Sequence, residues 1–275
     1  MATWLITGCS TGLGRALATA VLERGENVVV TARSADSVGE LAAKYPDTAL
    51  ALALDVTNPA QVTAAVEQAE ERFGAVDVLV NNAGYGYRAA VEEGEDEQIQ
   101  KLFATNVFGA VAMIKAVLPG MRARRSGTIV NISSMGVRLA PPGSGYYTAT
   151  KAALEGITGS LRKEVAPLGI KAMAIEPGAF RTDFAGRSIS QSAVPIPDYA
   201  ETAGKRRKEH DTLDGNQPGD PAKAAHVIIE AVNSPNTPGL LMIGPDALSA
   251  VRAAHDAERS DIEAWESLSA GTDIN

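Results

Sequence analysis

The sequence predicts a three-layer αβα architecture: one domain built on a doubly wound, parallel seven-stranded sheet with helices on both faces. Three observations carry that expectation. Short runs rich in Val, Ile, Leu and Ala recur along the chain and are almost continuously apolar, as strands buried on both faces are. The segments between them place apolar residues at helical spacing, so strands and helices alternate in βαβ units. The 275 residues show no internal repeat, low-complexity linker or shift of composition that marks a second domain.

In chain order, the candidate strands are Trp4–Thr7, Asn27–Ala32, Ala49–Leu54, Val76–Asn81, Thr128–Ser133, Lys171–Ile175 and Leu240–Ile243. Leu13, Ala16, Leu17, Ala20 and Val21 give the first intervening helix its apolar face. Val62, Ala65, Val66, Ala69 and Phe73 do the same after the third strand, behind Pro59, a residue suited to a first helical turn. Further helices are expected at roughly Gln98–Arg122 and Thr148–Ala166. Glu92, Glu93, Glu95, Asp96 and Glu97 fall where acids complement a helix start. Residues 178–220 lack periodicity over a length too great for a structureless connection, so they are expected to form a lid. Residues 246–275 are expected to be a helical extension, with Leu248, Val251, Ile262, Trp265 and Leu268 at roughly helical spacing. In such a sheet the ligand crevice lies at the carboxyl ends of the strands.

Composition narrows the function. Lys and Arg number 25 against 33 Asp and Glu, a net charge of −8 that removes the broad cationic field of a nucleic-acid binder. The single cysteine, Cys9, rules out an intramolecular disulfide framework and fits a reducing compartment. No run approaches the ~18 apolar residues of a membrane span, and the N-terminus lacks a basic stretch before a long apolar one. A cytoplasmic chain with neither nucleic acid nor membrane as partner is expected. His210, His226 and His255 have no metal-ligand spacing, so no metal is expected.

The first βα turn reads Thr7-Gly8-Cys9-Ser10-Thr11-Gly12-Leu13-Gly14. Its glycines let the backbone turn tightly and approach a pyrophosphate, which then rests on the free N–H groups of the helix N-terminus. The second strand ends in Ala32-Arg33-Ser34. An acidic residue there binds the ribose 2′-OH of NAD, whereas a guanidinium suits a 2′-phosphate, so NADP(H) is the expected cofactor. Arg15, inside the first helix, is a weaker candidate for the same phosphate. Tyr147 and Lys151 stand four apart, on one helical face with Cβ atoms about 5–6 Å apart. An ammonium so placed is expected to pull the Tyr147 pKa down from ~10 towards a range useful for proton transfer. Tyr146 has Thr150 at that position instead and is expected to pack or touch substrate.

The T-G-x-x-x-G-x-G spacing resembles that of the short-chain dehydrogenase/reductase family, in its short single-domain branch with a Rossmann fold. The likeness continues in order over roughly residues 3–182: Asp55, Asn81-Asn82-Ala83-Gly84, Asn106, Ser133-Ser134, Tyr147 with Lys151 as Y-x-x-x-K, Pro177-Gly178, and Thr182. It implies a catalytic tetrad of Asn106, Ser134, Tyr147 and Lys151. Tyr147 would exchange the proton, Ser134 would steady the substrate oxygen, and Asn106 would tie a water to Lys151. It also implies a cofactor site made by Gly8, Ser10, Thr11, Gly12, Leu13, Gly14, Arg33, Ser34, Asp55, Val56, Asn82, Ala83, Gly84, Tyr147, Lys151, Pro177, Gly178 and Thr182.

The activity implied is NADP(H)-dependent hydride transfer between nicotinamide and an alcohol or carbonyl substrate. Phe180, Phe184, Ile189, Val194, Ile196 and Tyr199 in the lid suggest a lipophilic one, like a steroid, retinoid or aromatic ketone. The rival readings are a non-catalytic NADP(H)-binding regulator, an NAD-dependent alcohol dehydrogenase, and an epimerase or dehydratase of the longer-chain branch. Lys205-Arg206-Arg207-Lys208 is expected to be a solvated charged face, and Cys9 a small packing residue. The resemblance further implies a homo-oligomer assembled through the helices after the fourth and fifth strands. A dimer is expected over a tetramer, because the terminal extension falls where the family's second interface lies.

Overall fold

The computed structural model describes residues 1–275 apart from 185, 187, 214 and 275, and the backbone alone of 210–213. Seven parallel strands form the central sheet: β1 (Thr3–Ile6), β2 (Asn27–Ala32), β3 (Ala49–Ala53), β4 (Val78–Asn81), β6 (Gly127–Ile132), β7 (Ile170–Pro177) and β9 (Leu240–Ile243). Their spatial order is β3-β2-β1-β4-β6-β7-β9, so the chain reverses its direction of travel between β1 and β4. Each strand in the sequence reading is present, with ends shifted by up to two residues. One addition escaped that reading: a separate parallel pair of β5 (Gly86–Arg88) and β8 (Ile189–Gln191). Three-residue strands leave no periodicity to detect.

The two faces of the sheet follow from side-chain alternation along each strand. Trp4, Ile6, Val28 and Val30 point into a core closed by α1 (Gly12–Glu23), α2 (Asp36–Lys44) and α9 (Pro221–Asn233). Leu5, Val29, Leu79 and Ile129 point the other way, into a core closed by α3 (Pro59–Phe73), α5 (Ala110–Arg124) and α7 (Gly145–Val165). Pro59 sits in the first turn of α3, and the Asn58 side chain caps it by accepting from the Ala60 and Gln61 amides.

Helix α4 (Asp96–Phe103) continues into α5 through a π-turn at Ala104–Gly109. The resulting helix, Asp96–Arg124, has the length and mean hydropathy of a membrane span. Its Leu102, Met113, Ile114, Val117 and Met121 are nevertheless buried in the protein, as in a core helix. Short α6 (Gly136–Leu139) precedes α7, and α8 (Lys205–Leu213) lies in the lid. The last helix, α10 (Pro245–Ser269), buries Ala247 and Val251. Beyond them it departs from expectation: Ile262, Trp265 and Leu268 are exposed because the helix runs clear of the sheet.

Candidate active site

The carboxyl ends of the strands open into one cavity of about 1020 Å³. At one end lies the turn from β1 to α1. Gly12 adopts φ +63°, a left-handed conformation that L side chains avoid. A Cβ on Gly14 would collide with the Gly8 carbonyl and the Asn82 amide, so the turn closes only on glycine. Asn82 locks it further, its Nδ2 donating to the Thr7 and Gly8 carbonyls at 2.9 Å each. The Thr7 hydroxyl accepts from the Asn82 and Ala83 amides at 3.0 and 2.9 Å. No side chain caps the N-terminus of α1. A glycine cradle ending on uncapped N–H groups fits a pyrophosphate.

Ser10, Thr11, Leu13, Arg33, Asp55, Val56, Ala83 and Gly84 line the same end of the cavity. Asp55 is held below the usual carboxylate range chiefly by hydrogen bonds from the Thr57 side chain and amide, with a contribution from Arg33. Three residues of the implied site lie off the wall. Gly14 acts by close packing. Ser34 is exposed, and its carbonyl accepts from the Ser37 amide and hydroxyl. Asn106 lies behind Gly84 and gives its amide to the Tyr85 carbonyl (2.9 Å) and the Thr150 hydroxyl (3.1 Å), so its side chain shapes the Tyr85 turn. Arg15 faces α2 instead, 3.4 Å from Glu40.

Ser134, Tyr147 and Lys151 meet on the wall of the cavity, with Pro177, Gly178 and Thr182 nearby. Phe184 stacks at a tilt over Tyr147, ring centroids 5.8 Å apart. Lys151 lies 5.8 Å from the Tyr147 ring centroid and donates to the Ile132 carbonyl at 2.8 Å. The expected lowering of the Tyr147 pKa does not occur here. Desolvation pushes the phenol up to about 12, against a smaller opposite effect of the Ser134 hydroxyl. Burial likewise lowers Lys151 to about 8, with Glu155 pulling it back up. At neutral pH the phenol therefore holds its proton.

A profile of the short chain dehydrogenase family matches residues 2–193. The chain belongs to this family. It is 38% identical over 267 residues to the oxidoreductase BOA17 of Botryotinia fuckeliana, covering 97% of each chain. It is also 38% identical to a 3-ketodihydrosphingosine reductase of Bacteroides thetaiotaomicron, over 88% of this chain and 87% of that one. Among solved structures, a short-chain dehydrogenase from Streptomyces avermitilis superimposes with a TM-score of 0.92 at 43% identity, covering 99% of this chain and 98% of that one. The chain is thus an oxidoreductase on a short-chain dehydrogenase fold.

Outside the family's motifs, the structure adds what sequence reasoning missed. The five acids do fall at helix starts, with Asp96 and Glu97 in the first turn of α4, but Glu92, Glu93 and Glu95 also clasp residues 193–207. Glu92 accepts from the Tyr199 hydroxyl, and Glu95 from the Tyr87 hydroxyl and the Ala193 amide. Glu93 is buried; it accepts from the Ala90 and Ile196 amides and pairs with Arg207. Burial alone would raise its pKa, but those amides and the guanidinium outweigh it and hold the carboxyl low. Arg207 therefore leaves the solvated face expected of the basic run. The contacts that recruit it come from residues more than a hundred positions away, beyond any local pattern.

Replacing Glu93 with Ala strands a buried guanidinium, at a cost of about 3–5 kcal/mol. That is enough to open the lid locally without melting the sheet. Limited proteolysis should then cut within residues 193–213 of the variant, and KM should rise. An unchanged cleavage pattern would show that the clasp does not hold the lid.

Behind the catalytic wall, Arg138 pairs with Glu155 and lies 3.0 Å from Glu176, while the Ser133 hydroxyl donates to Glu155. Two carboxylates share one guanidinium. Desolvation, then the proximity of Glu155, pushes Glu176 up to about 7. Between pH 4.5 and about 7 the folded chain therefore keeps a proton that the unfolded chain has released, so this group's contribution to stability falls as pH rises. Glu176→Gln should flatten that slope and raise the melting temperature above about pH 8. Parallel pH–melting curves for wild type and variant would disprove the assignment.

Cys9 is buried, and desolvation lifts its thiol to about 12, which makes it unreactive. No metal-binding cluster of His, Cys, Asp or Glu occurs among the described residues. The side chain of His210 lies outside them.

Proposed function

We propose that this chain is an NADP(H)-dependent oxidoreductase interconverting a lipophilic ketone or aldehyde and its alcohol, with Tyr147 as the proton-exchanging group. The observation that carries the reading is the joining, in one cavity, of a phosphate-binding glycine cradle and a protonated Tyr147 beside Ser134. Bound there, the nicotinamide cofactor supplies the hydride that the side chains cannot. Gly8, Ser10, Thr11, Gly12 and Leu13 would hold its pyrophosphate and Asp55 with Val56 its adenine. Pro177, Gly178 and Thr182 would hold the nicotinamide end, and Arg33 a 2′-phosphate.

In the direction of reduction, the Tyr147 hydroxyl gives its proton to the carbonyl oxygen as charge develops there. Ser134 donates a hydrogen bond to the same oxygen. The Lys151 ammonium stabilises the phenolate left behind. Oxidation reverses each role. Phe184, Ile189, Leu139 and Pro141 line the cavity and favour an apolar substrate body. The relative named as a 3-ketodihydrosphingosine reductase is consistent with a long-chain ketone. The test is a panel of steroids, retinoids, aromatic ketones, long-chain ketones and small polyols with NADPH. Turnover confined to the polyols would refute the lipophilic reading.

The assembly proposed is a cytoplasmic homodimer. On α7 the exposed positions Ala152, Gly156 and Gly159 are small, and side chains built at the two glycines would meet open space. Such a face admits a close two-fold approach of helices. Light scattering coupled to size exclusion should report two chains, and a single-chain mass would reject the interface.

A further inference from the structure

The cavity is electropositive although the chain is acidic. Arg33, Arg88, Lys101, Lys151 and Arg206 line it, and Asp55 is the one carboxylate among the described lining residues. Most of these cations are engaged. Lys101 pairs with Glu97 at 2.6 Å, Lys151 donates to the Ile132 carbonyl, and Arg88 is buried and has an interaction of its own. Arg33 and Asp55 stand together at the far end, by the glycine cradle.

Arg206 remains. Its Nε is buried and has no hydrogen-bond partner among the described residues. Its Nη1 reaches Glu209 at 3.4 Å, a long pair with a half-exposed carboxylate on the next turn of the same helix. The position of Arg206 is fixed from two sides. Arg207 anchors α8 to buried Glu93. Gly143, four residues before Tyr147, packs against Ala203, three residues before Arg206. Arg206 therefore lines the cavity about one turn beyond the point where its segment packs against Gly143, just before α7.

We infer that Arg206 selects substrates that carry an anionic group, a carboxylate or phosphate, on the apolar body whose carbonyl meets Tyr147. This rests on the oxidoreductase reading above and deepens it. A guanidinium in a partly dry wall binds such a group through charge-assisted hydrogen bonds, and a cavity with an excess of positive charge also concentrates anionic ligands. An ammonium-bearing ketone meets like charge there.

The test compares four methyl ketones built on one decyl-length chain: a terminal carboxylate, its methyl ester, a terminal phosphate and a terminal trimethylammonium. Wild type with NADPH should favour the anions over the ester by roughly 10-fold to 100-fold in kcat/KM, with the ammonium compound worst. The preference should shrink as ionic strength rises. In Arg206→Gln the ratio of anion to ester should fall towards one, and Arg206→Lys should restore part of it. NADPH fluorescence titration checks that each variant is folded, and the salt series on wild type needs no variant. A carboxylate preferred over the phosphate identifies a fatty-acid-like substrate, and the reverse a phosphate ester. Equal turnover of ester and anions would overturn the inference and leave the oxidoreductase reading standing. No turnover of any of the four, or of the wider panel, would overturn both.

Discussion

Tyr147→Phe should lower kcat roughly 100-fold to 10,000-fold, the range a positioned acid or base contributes. NADPH affinity should stay close to that of wild type, because the glycine cradle and Arg33 lie elsewhere in the cavity. The substitution removes one oxygen and keeps the ring, so the tilted contact with Phe184 survives and the lid has no reason to shift. A loss confined to kcat therefore reports the missing proton donor rather than a collapsed site. Stopped-flow measurement of NADPH oxidation and fluorescence titration of NADPH on the same preparation separate the two effects. Wild-type turnover in the Phe variant would return the chain to the reading of a non-catalytic dinucleotide-binding regulator.

The electrostatics of this site explain why the direction of the Tyr147 pKa shift differs from the one its helical spacing suggests. A spacing of four on a helix fixes which side chains share a face, and Tyr147 and Lys151 do. It says nothing about how dry that face is or where the ammonium points. In the folded chain Lys151 turns to the Ile132 carbonyl, and the phenol sits where desolvation outweighs any nearby hydroxyl. A phenol near 10 and one near 12 are protonated alike at neutral pH, so the shift changes the strength of the acid and not its starting state.

The same division runs through the fold. Strands such as Asn27–Ala32 and Leu240–Ile243 were legible to the residue because an apolar run bounded by turns has few other solutions. The glycine turn was legible because steric exclusion at Gly14 acts within one loop and its neighbour. The lid was not. Its order comes from Glu92, Glu93 and Glu95 reaching Tyr199, Ile196, Arg207 and Ala193, contacts that span roughly a hundred residues. Each acid read alone is a plausible solvated charge, and only the folded chain shows that three within four residues face the same segment. Arg206 and Arg207 illustrate the point most sharply: adjacent members of one basic run, they end in a cavity wall and a buried ion pair.

Arg33→Asp should weaken NADPH binding by roughly 10-fold to 100-fold and bring NADH to equal or better kcat/KM. Arg33 follows the last residue of β2, at the point where a Rossmann site meets the adenosine ribose. A 2′-phosphate there gains charge-assisted hydrogen bonds from a guanidinium, and loses them to repulsion when a carboxylate takes its place. Arg33 is exposed, so water screens the pair and keeps the expected penalty at the lower end of what buried charge pairs show. The substituted carboxylate also offers an acceptor to a free 2′-OH, which is why NADH should gain as NADPH loses. Asp55 feels the Arg33 charge, so the variant also places two carboxylates near each other. The remaining NADPH affinity should therefore fall further as pH rises past the titration of the introduced acid. The measurement is kcat/KM for both cofactors with one ketone, in wild type and variant, at low and high salt. Equal kcat/KM for NADH and NADPH in the wild type would remove Arg33 from the cofactor argument altogether. A variant that kept its NADPH preference would move the phosphate contact to another residue.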